Sequence, residues 1–190
     1  MTRLALIALV MMTAACGSGS NDDNAEEKII VVEVDTAALE AQNEQLPSPR
    51  RSVSGSVANT EVTVDWGSPA VRDRVIWGEL VPYGEIWRAG ANENTTFEFS
   101  SNIQVANESL EAGKYGFFII PAEDQDWTVV FSSKNDAWGH FEYSQAEDAL
   151  RIDLTPTSSE SFRERLVYEI VPGGVRFAWA DKELLIPITA

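Results

Sequence analysis

The sequence predicts an all-β fold: an antiparallel β-sandwich or jelly-roll-like domain with short helical turns, preceded by a signal peptide and a flexible tether. Three observations predict it. Past residue 52 the chain is a series of short runs rich in Val, Ile, Phe, Trp and Thr, the residue types that suit a pleated, half-buried surface. Several of these runs alternate apolar with polar residues at period two, and no amphipathic pattern exceeds about three helical turns. Turn-forming residues separate the runs at short intervals, as in sandwiches and barrels.

In chain order the first element is the leader, residues 1–15. Met1-Thr2-Arg3 is a short basic start, Leu4 to Met12 (LALIALVMM) is an apolar run, and Thr13-Ala14-Ala15 is a small-residue cleavage site. These are the three parts of a secretory signal. The apolar run is too short to cross a hydrocarbon core of ~30 Å. Thr-Ala-Ala-Cys resembles the bacterial lipobox, with Thr13 standing where Leu is usual, and Cys16 is then the lipidation site. It is the only cysteine, so an internal disulfide is excluded. Several acyl chains hold a protein firmly to a bilayer, since each buried methylene contributes about 0.8 kcal/mol. Resemblance to Gram-negative lipoproteins implies, from Gly17 after the cysteine, the outer membrane, with the domain facing the periplasm.

Residues 16–52 are the lipidated cysteine and a polar tether. As coil, Gly17 to Ser52 would span roughly 30–36 Å. Ile29 to Val34 (IIVVEV) could form a strand, and Asp35 could cap a short helix through TAALEAQNEQL. Pro47 and Pro49 close the region.

Residues 53–190 are the β domain. Expected strands lie at Glu61–Trp66, Thr95–Ser100, Lys114–Ile120, Trp127–Ser133, Ala149–Leu154, Arg165–Val171, Val175–Ala180 and Leu184–Ile188. Val171-Pro172-Gly173-Gly174-Val175 is the clearest hairpin signal, because glycines supply positive φ in a tight turn. Ala180-Asp181-Lys182 reads as a further turn. Val81–Trp87 and the stretch after Thr157 are expected to hold short helical turns.

All six Trp, four Tyr and eight Phe fall between Trp66 and Trp179, so one aromatic core belongs to this domain. Trp66, Trp77, Trp127 and Phe131 are assigned to packing, and Trp87 and Trp138, beside polar motifs, to a pocket wall. The formal charge of −16 becomes about −17 once Arg3 leaves with the signal. Such a chain repels phosphate backbones, so nucleic acid is not an expected partner.

Two segments carry candidate chemistry. In Trp77 to Thr96 (WGELVPYGEIWRAGANENTT), Arg88, Asn92, Glu93, Asn94 and Thr95 follow Ile86-Trp87. A guanidinium offers bidentate donors to a carboxylate or phosphate, and a carboxamide both donates and accepts. The plainer alternative is a structural corner whose side chains bond their own backbone, with Arg88 paired to Glu85 or Glu93. The second segment, Asp136 to Tyr143 (DAWGHFEY), holds the sole histidine, His140. One histidine excludes a multi-histidine metal site. No Gly-x-Ser-x-Gly elbow is present to pair with it. No metal or cofactor is expected.

The run VDWGSPAVRDRVIWGELVPYGEIWRAGANENTTFEFS, followed by LEAGKYGFFIIP, WTVVFSS, AWGHFEY and ALRIDLTP, resembles the bacterial domain of unknown function family 2911 over roughly residues 50–190. The resemblance implies an exported protein with a β-sandwich-like domain, and it brings no established activity. Its Trp-Arg-x-Gly-Ala-Asn-Glu-x-Thr core matches Trp87, Arg88, Gly90, Ala91, Asn92, Glu93 and Thr95. Its Trp-Gly pair matches Trp138 and Gly139, and His140 lies outside the pattern.

Three functional readings result. One is a lipid-anchored envelope module that binds a small polar ligand or glycan through Trp87, Arg88, Asn92, Glu93, Thr95 and Trp138. A second is a hydrolase or isomerase with Glu93 as general acid or base and Arg88 as anion stabiliser, which needs a second carboxylate roughly 5–10 Å away. A third is a structural lipoprotein whose Ile29–Val34 strand pairs onto a partner edge.

Overall fold

The computed structural model describes residues 36–190. The signal segment, Cys16 and the Ile29–Val34 run lie outside them. Residues 43–190 form one compact unit. The helix expected through TAALEAQNEQL is present as α1, Thr36–Glu44.

Ten strands are described: β1 (Arg50–Val57), β2 (Thr60–Gly67), β3 (Thr95–Phe99), β4 (Ile103–Val105), β5 (Glu108–Leu110), β6 (Gly113–Ile120), β7 (Trp127–Ser132), β8 (Asp148–Leu154), β9 (Thr157–Val171) and β10 (Gly174–Thr189). One sheet has the order β1-β2-β3-β6-β7-β8, the other β5-β4-β10-β9, with antiparallel pairing throughout. The domain is an all-β antiparallel sandwich.

β1 takes in Arg50, Arg51 and Ser52, residues without an apolar pattern. Partners elsewhere in the chain make the strand. Arg50 pairs with Gly67 and Arg51 with Trp66, and the Asn43 carboxamide brackets Arg50, accepting from its N–H at 2.7 Å and donating to its carbonyl at 2.8 Å. Arg51 adds an ion pair to Glu44. The β1–β2 turn is Ala58-Asn59, with φ of 50° and 63°, the geometry of a tight hairpin without its usual Asn-Gly signature. Ala106-Asn107 repeats it between β4 and β5, at 50° and 72°.

Two local expectations are corrected. The stretch after Thr157 is the first half of β9 and holds no helical turn; Thr157 pairs with Glu183 and Ser158 with Lys182. Its polar residues form an exposed two-stranded extension, which leaves no apolar periodicity to read. Ala180-Asp181-Lys182 is no chain reversal either. The register shifts there and Ala180 has φ of 52°, so a bulge bends one continuous strand. Val81–Trp87 forms turns without a helix. The Pro172-Gly173 reversal does join β9 to β10, with Gly173 at φ of 85°.

The inner faces meet through aromatic rings. Tyr168 of β9 lies 5.2 Å from Trp66, 5.7 Å from Phe97 and 6.1 Å from Phe117 of the other sheet. Trp127 and Phe177 are 6.4 Å apart. Trp66, Trp77, Trp127 and Phe131 are all buried, as assigned. Because successive strand residues face opposite ways, Phe118 and Val130 point away from this core. They are buried too, with the Tyr143 ring 5.2 Å from Phe118. The segment between β7 and β8 therefore covers part of the outer face of the six-stranded sheet.

Tyr168 is 2% exposed, and its hydroxyl donates to the Ala89 carbonyl at 2.8 Å. Burial pushes its pKa well above the ordinary value near 10. Above pH ~10 the unfolded chain releases the phenolic proton while the folded chain keeps it, so stability falls as pH rises through that window. Tyr83, Tyr115 and Tyr143 shift the same way. Urea midpoints should decline steeply above pH ~10, and less steeply in Tyr168→Phe. An unchanged slope in that variant would remove Tyr168 from the effect.

Candidate functional site

The site begins where Trp87 joins the sheet. Trp87 and Ile119 exchange two backbone hydrogen bonds of 2.9 Å, which continues the sheet beyond β3. The Trp87 ring turns inward, stacked on Trp179 at 5.6 Å and edge-on to Trp77 at 6.0 Å. It is partly buried and packed against the core, and it is not among the residues that line the cleft described below. Arg88, the next residue, lies against the covering segment: a Cβ built on Gly139 would sit 3.5 Å from its Nη1.

The chain then reverses through Ala89 and Asn92, at φ of 49° and 64°. The reversal is held from below. The Ala89 carbonyl accepts from Tyr168 and, at 3.1 Å, from the Thr95 hydroxyl, and the Ala91 N–H donates to Gly67. Thr95 is fully buried, so its hydroxyl braces the loop. Asn92 contributes its backbone, its carbonyl accepting from the Gly139 N–H at 3.1 Å. Asn94 N–H donates to the Ala137 carbonyl at 3.0 Å, and Glu93 and Trp138 form a bridge pair. Residues 92–94 and 137–139 thus make a short antiparallel clasp, which brings the two candidate segments of the sequence together.

Glu93 is exposed and Trp138 is 59% exposed. Both border an open cleft of about 260 Å³, whose other walls include Arg50, Asn94, Lys114 and Asn135. The covering segment is pinned by Lys134, whose ammonium lies 3.1 Å from Asp136 and 3.5 Å from Glu142. The hydrogen bond from the Lys134 ammonium, and then its charge, hold the Asp136 carboxyl below its ordinary range.

Arg88 is half-buried and has neither a hydrogen bond nor an ion pair among the described residues. Its Nε is buried without a partner. Desolvation pulls its pKa down, opposed by the nearby charge of Glu93. The ion pair to Glu85 or Glu93 that a structural corner needs is not formed. His140 stacks on Phe141 at 4.7 Å with its Nδ1 buried and unpartnered.

Arg50, Lys114 and Asn135 complete the cleft without a signal in the sequence. Each sits on a different segment: the pairings of β1 with β2, β2 with β3 and β3 with β6 bring Arg50 and Lys114 beside residue 94, and Asn135 donates to the Lys114 carbonyl at 2.8 Å. Arg88, Glu93 and Trp138 were legible because each lies in a dense polar-aromatic run.

Neither the curated proteins nor the solved structures include a match to this chain. A family model matches residues 48–188, which takes in all ten strands but for the last residue of β10, along with the clasp and the cleft. The chain belongs to the family described as "Protein of unknown function (DUF2911)".

Proposed function

We propose that this chain is a lipid-anchored envelope protein, held through Cys16 in the outer membrane with its domain facing the periplasm. On this reading the domain binds a small polar ligand or glycan at the face formed by Arg88, Asn92, Glu93 and Trp138. The observation that carries the binding role is Arg88. A guanidinium taken half out of water without a partner is costly, and a carboxylate could supply two charge-assisted hydrogen bonds. The exposed Trp138 ring, one residue before the Gly139 that Arg88 lies against, offers an apolar face for a ring-shaped ligand. Anchoring rests on the signal-like leader, the lipobox-like Thr-Ala-Ala-Cys and the polar tether behind it.

Binding is favoured over turnover by the carboxylates. Glu93 is exposed, and Asp136, which borders the same cleft, is kept ionised by Lys134. Neither has the burial with which enzymes prepare a proton donor.

Two arms test the reading on the full chain. In calorimetric titration, D-glucuronate should bind at least tenfold more tightly than D-glucose, and Arg88→Gln should abolish that preference. Equal binding of the two sugars, or a preference that survives Arg88→Gln, overturns the assignment. For the anchor, Cys16→Ser should move the protein from the membrane fraction to the soluble periplasm. Continued membrane retention overturns lipidation at Cys16.

A further inference from the structure

The six-stranded sheet ends in β8, and one edge of that strand is unpaired. β7 takes the other edge in unbroken register, from Leu150 opposite Phe131 to Leu154 opposite Trp127. Among the described residues no backbone hydrogen bond from any other segment reaches residues 149–154. The remaining sheet ends are shorter, broken or occupied. β5 has three residues. β1 has β9 beside it, since a Cβ built on Gly55 would meet Ile170 at 3.3 Å. β9 is bridged at Arg165 by Ala70, and register shifts interrupt its first half. An open row of N–H and C=O groups is a template for another strand. Residues 150–154 hold no proline, lysine or bulge to block one, and their two charges are of opposite sign.

The side chains say what such a strand must carry. Ile152 and Leu154 are buried in the core and Leu150 packs against it, while Arg151 and Asp153 are exposed on the outer face. The run Leu150-Arg151-Ile152-Asp153-Leu154 is complementary to itself when reversed about Ile152. In an antiparallel pair of two copies Leu150 faces Leu154, Ile152 faces Ile152, and Arg151 faces Asp153 twice. Opposite charges across a strand pair stabilise it, and like charges do the reverse. Centring the pair on Arg151 or on Asp153 sets like charges opposite each other. A shift that centres it between two residues sets outward side chains opposite inward ones. Both charged groups also have atoms to spare among the described residues: Arg151 bonds Tyr143 and Asp148 through Nη1, and Asp153 accepts from Thr128 through Oδ1.

We propose that the free edge of β8 is a dimer interface. A second copy of this chain adds its own β8 antiparallel about Ile152, which joins the two six-stranded sheets into one continuous sheet. The inference goes beyond the binding role and draws nothing from Arg88.

Sedimentation equilibrium of the full chain tests it, with Cys16→Ser in every sample so that neither a lipid nor a thiol joins copies. The chain should show a monomer–dimer equilibrium. Asp153→Arg and Arg151→Asp each set like charges opposite and should each raise the dissociation constant at least tenfold. The two single variants mixed should form a mixed dimer at least tenfold tighter than either forms alone, and the double exchange Arg151→Asp with Asp153→Arg should restore the parent constant. A chain still monomeric at about 1 mM overturns the proposal. Dimerisation unchanged in both single variants overturns the pairing of Arg151 with Asp153 on which it stands. Amide hydrogen exchange reads the same interface without a β8 variant, should one of them fail to fold: residues 150–154 should gain protection as concentration rises. A dimer that forms without that protection overturns its placement on β8.

Discussion

Trp179→Ala should lower the free energy of unfolding by about 3–5 kcal/mol, the range for truncating a buried tryptophan. Trp179 is 1% exposed and joins the aromatic cluster at two points, stacked on Trp87 at 5.6 Å and edge-on to Trp77 at 5.9 Å, with Leu184 and Ile186 of its own strand in the same core. Its removal leaves a cavity that the neighbouring rings, both on the connection between β2 and β3, can fill only in part. The effect should reach the site, because Trp87 loses the ring it stacks on and Arg88 is the next residue. Glucuronate affinity should fall along with stability. Trp179→Phe should cost less, since it keeps a ring in place and deletes an indole N–H that is buried without a partner. Urea unfolding of both variants checks this; equal losses would show that the cavity is not what matters.

Gly116→Ala should destabilise the fold by about 1–3 kcal/mol, the cost of overfilling a packed site. Replacing glycine usually favours the folded state when the backbone conformation is permitted, since the unfolded chain loses freedom. Here the sign reverses because of what sits over the residue. Gly116 occupies the outer-face row that runs Asp65, Thr96, Gly116, Ser132 across the sheet. A Cβ there would overlap the Lys134 carbonyl oxygen and lie 2.7 Å from Asn94 Nδ2. The missing side chain is what lets the covering segment and Asn94 close over the strand. Stability equal to or above the parent chain would show that the segment can lift without cost.

The strands that could be read from the chain are those that bury one face in the aromatic core. Glu61 to Trp66 alternates because Val62, Val64 and Trp66 point inward, and Trp127 to Ser132 is apolar because both of its faces are covered. β1 and the first half of β9 escaped notice for the opposite reason: each is mostly exposed, so backbone pairing with a distant partner makes the strand and side-chain pattern does not. The Ala58-Asn59 and Ala106-Asn107 reversals were hidden because asparagine and alanine tolerate positive φ there only as part of hairpins that the rest of the sheet completes.

The site divides along the same line. Arg88, Asn92, Glu93 and Trp138 stand out as residue types, but their fates differ through geometry. Thr95 and Trp87 belong to the same polar-aromatic run, yet one hydroxyl braces Ala89 from inside and one ring packs on Trp179. Period-two alternation sends neighbours to opposite faces, and which face is core depends on the sheet that packs against it.

By itself the chain determined the all-β class, the location of its aromatic core and the hairpin at Gly173, because each is written in local composition and short-range spacing. Only the tertiary structure decided that Arg88 has no partner, that residues 92–94 clasp 137–139, and that Arg50 and Asn94 share a cleft. Those facts depend on strand pairings between residues far apart in sequence, and burial, which makes an unpaired polar group costly, exists only once the two sheets have closed.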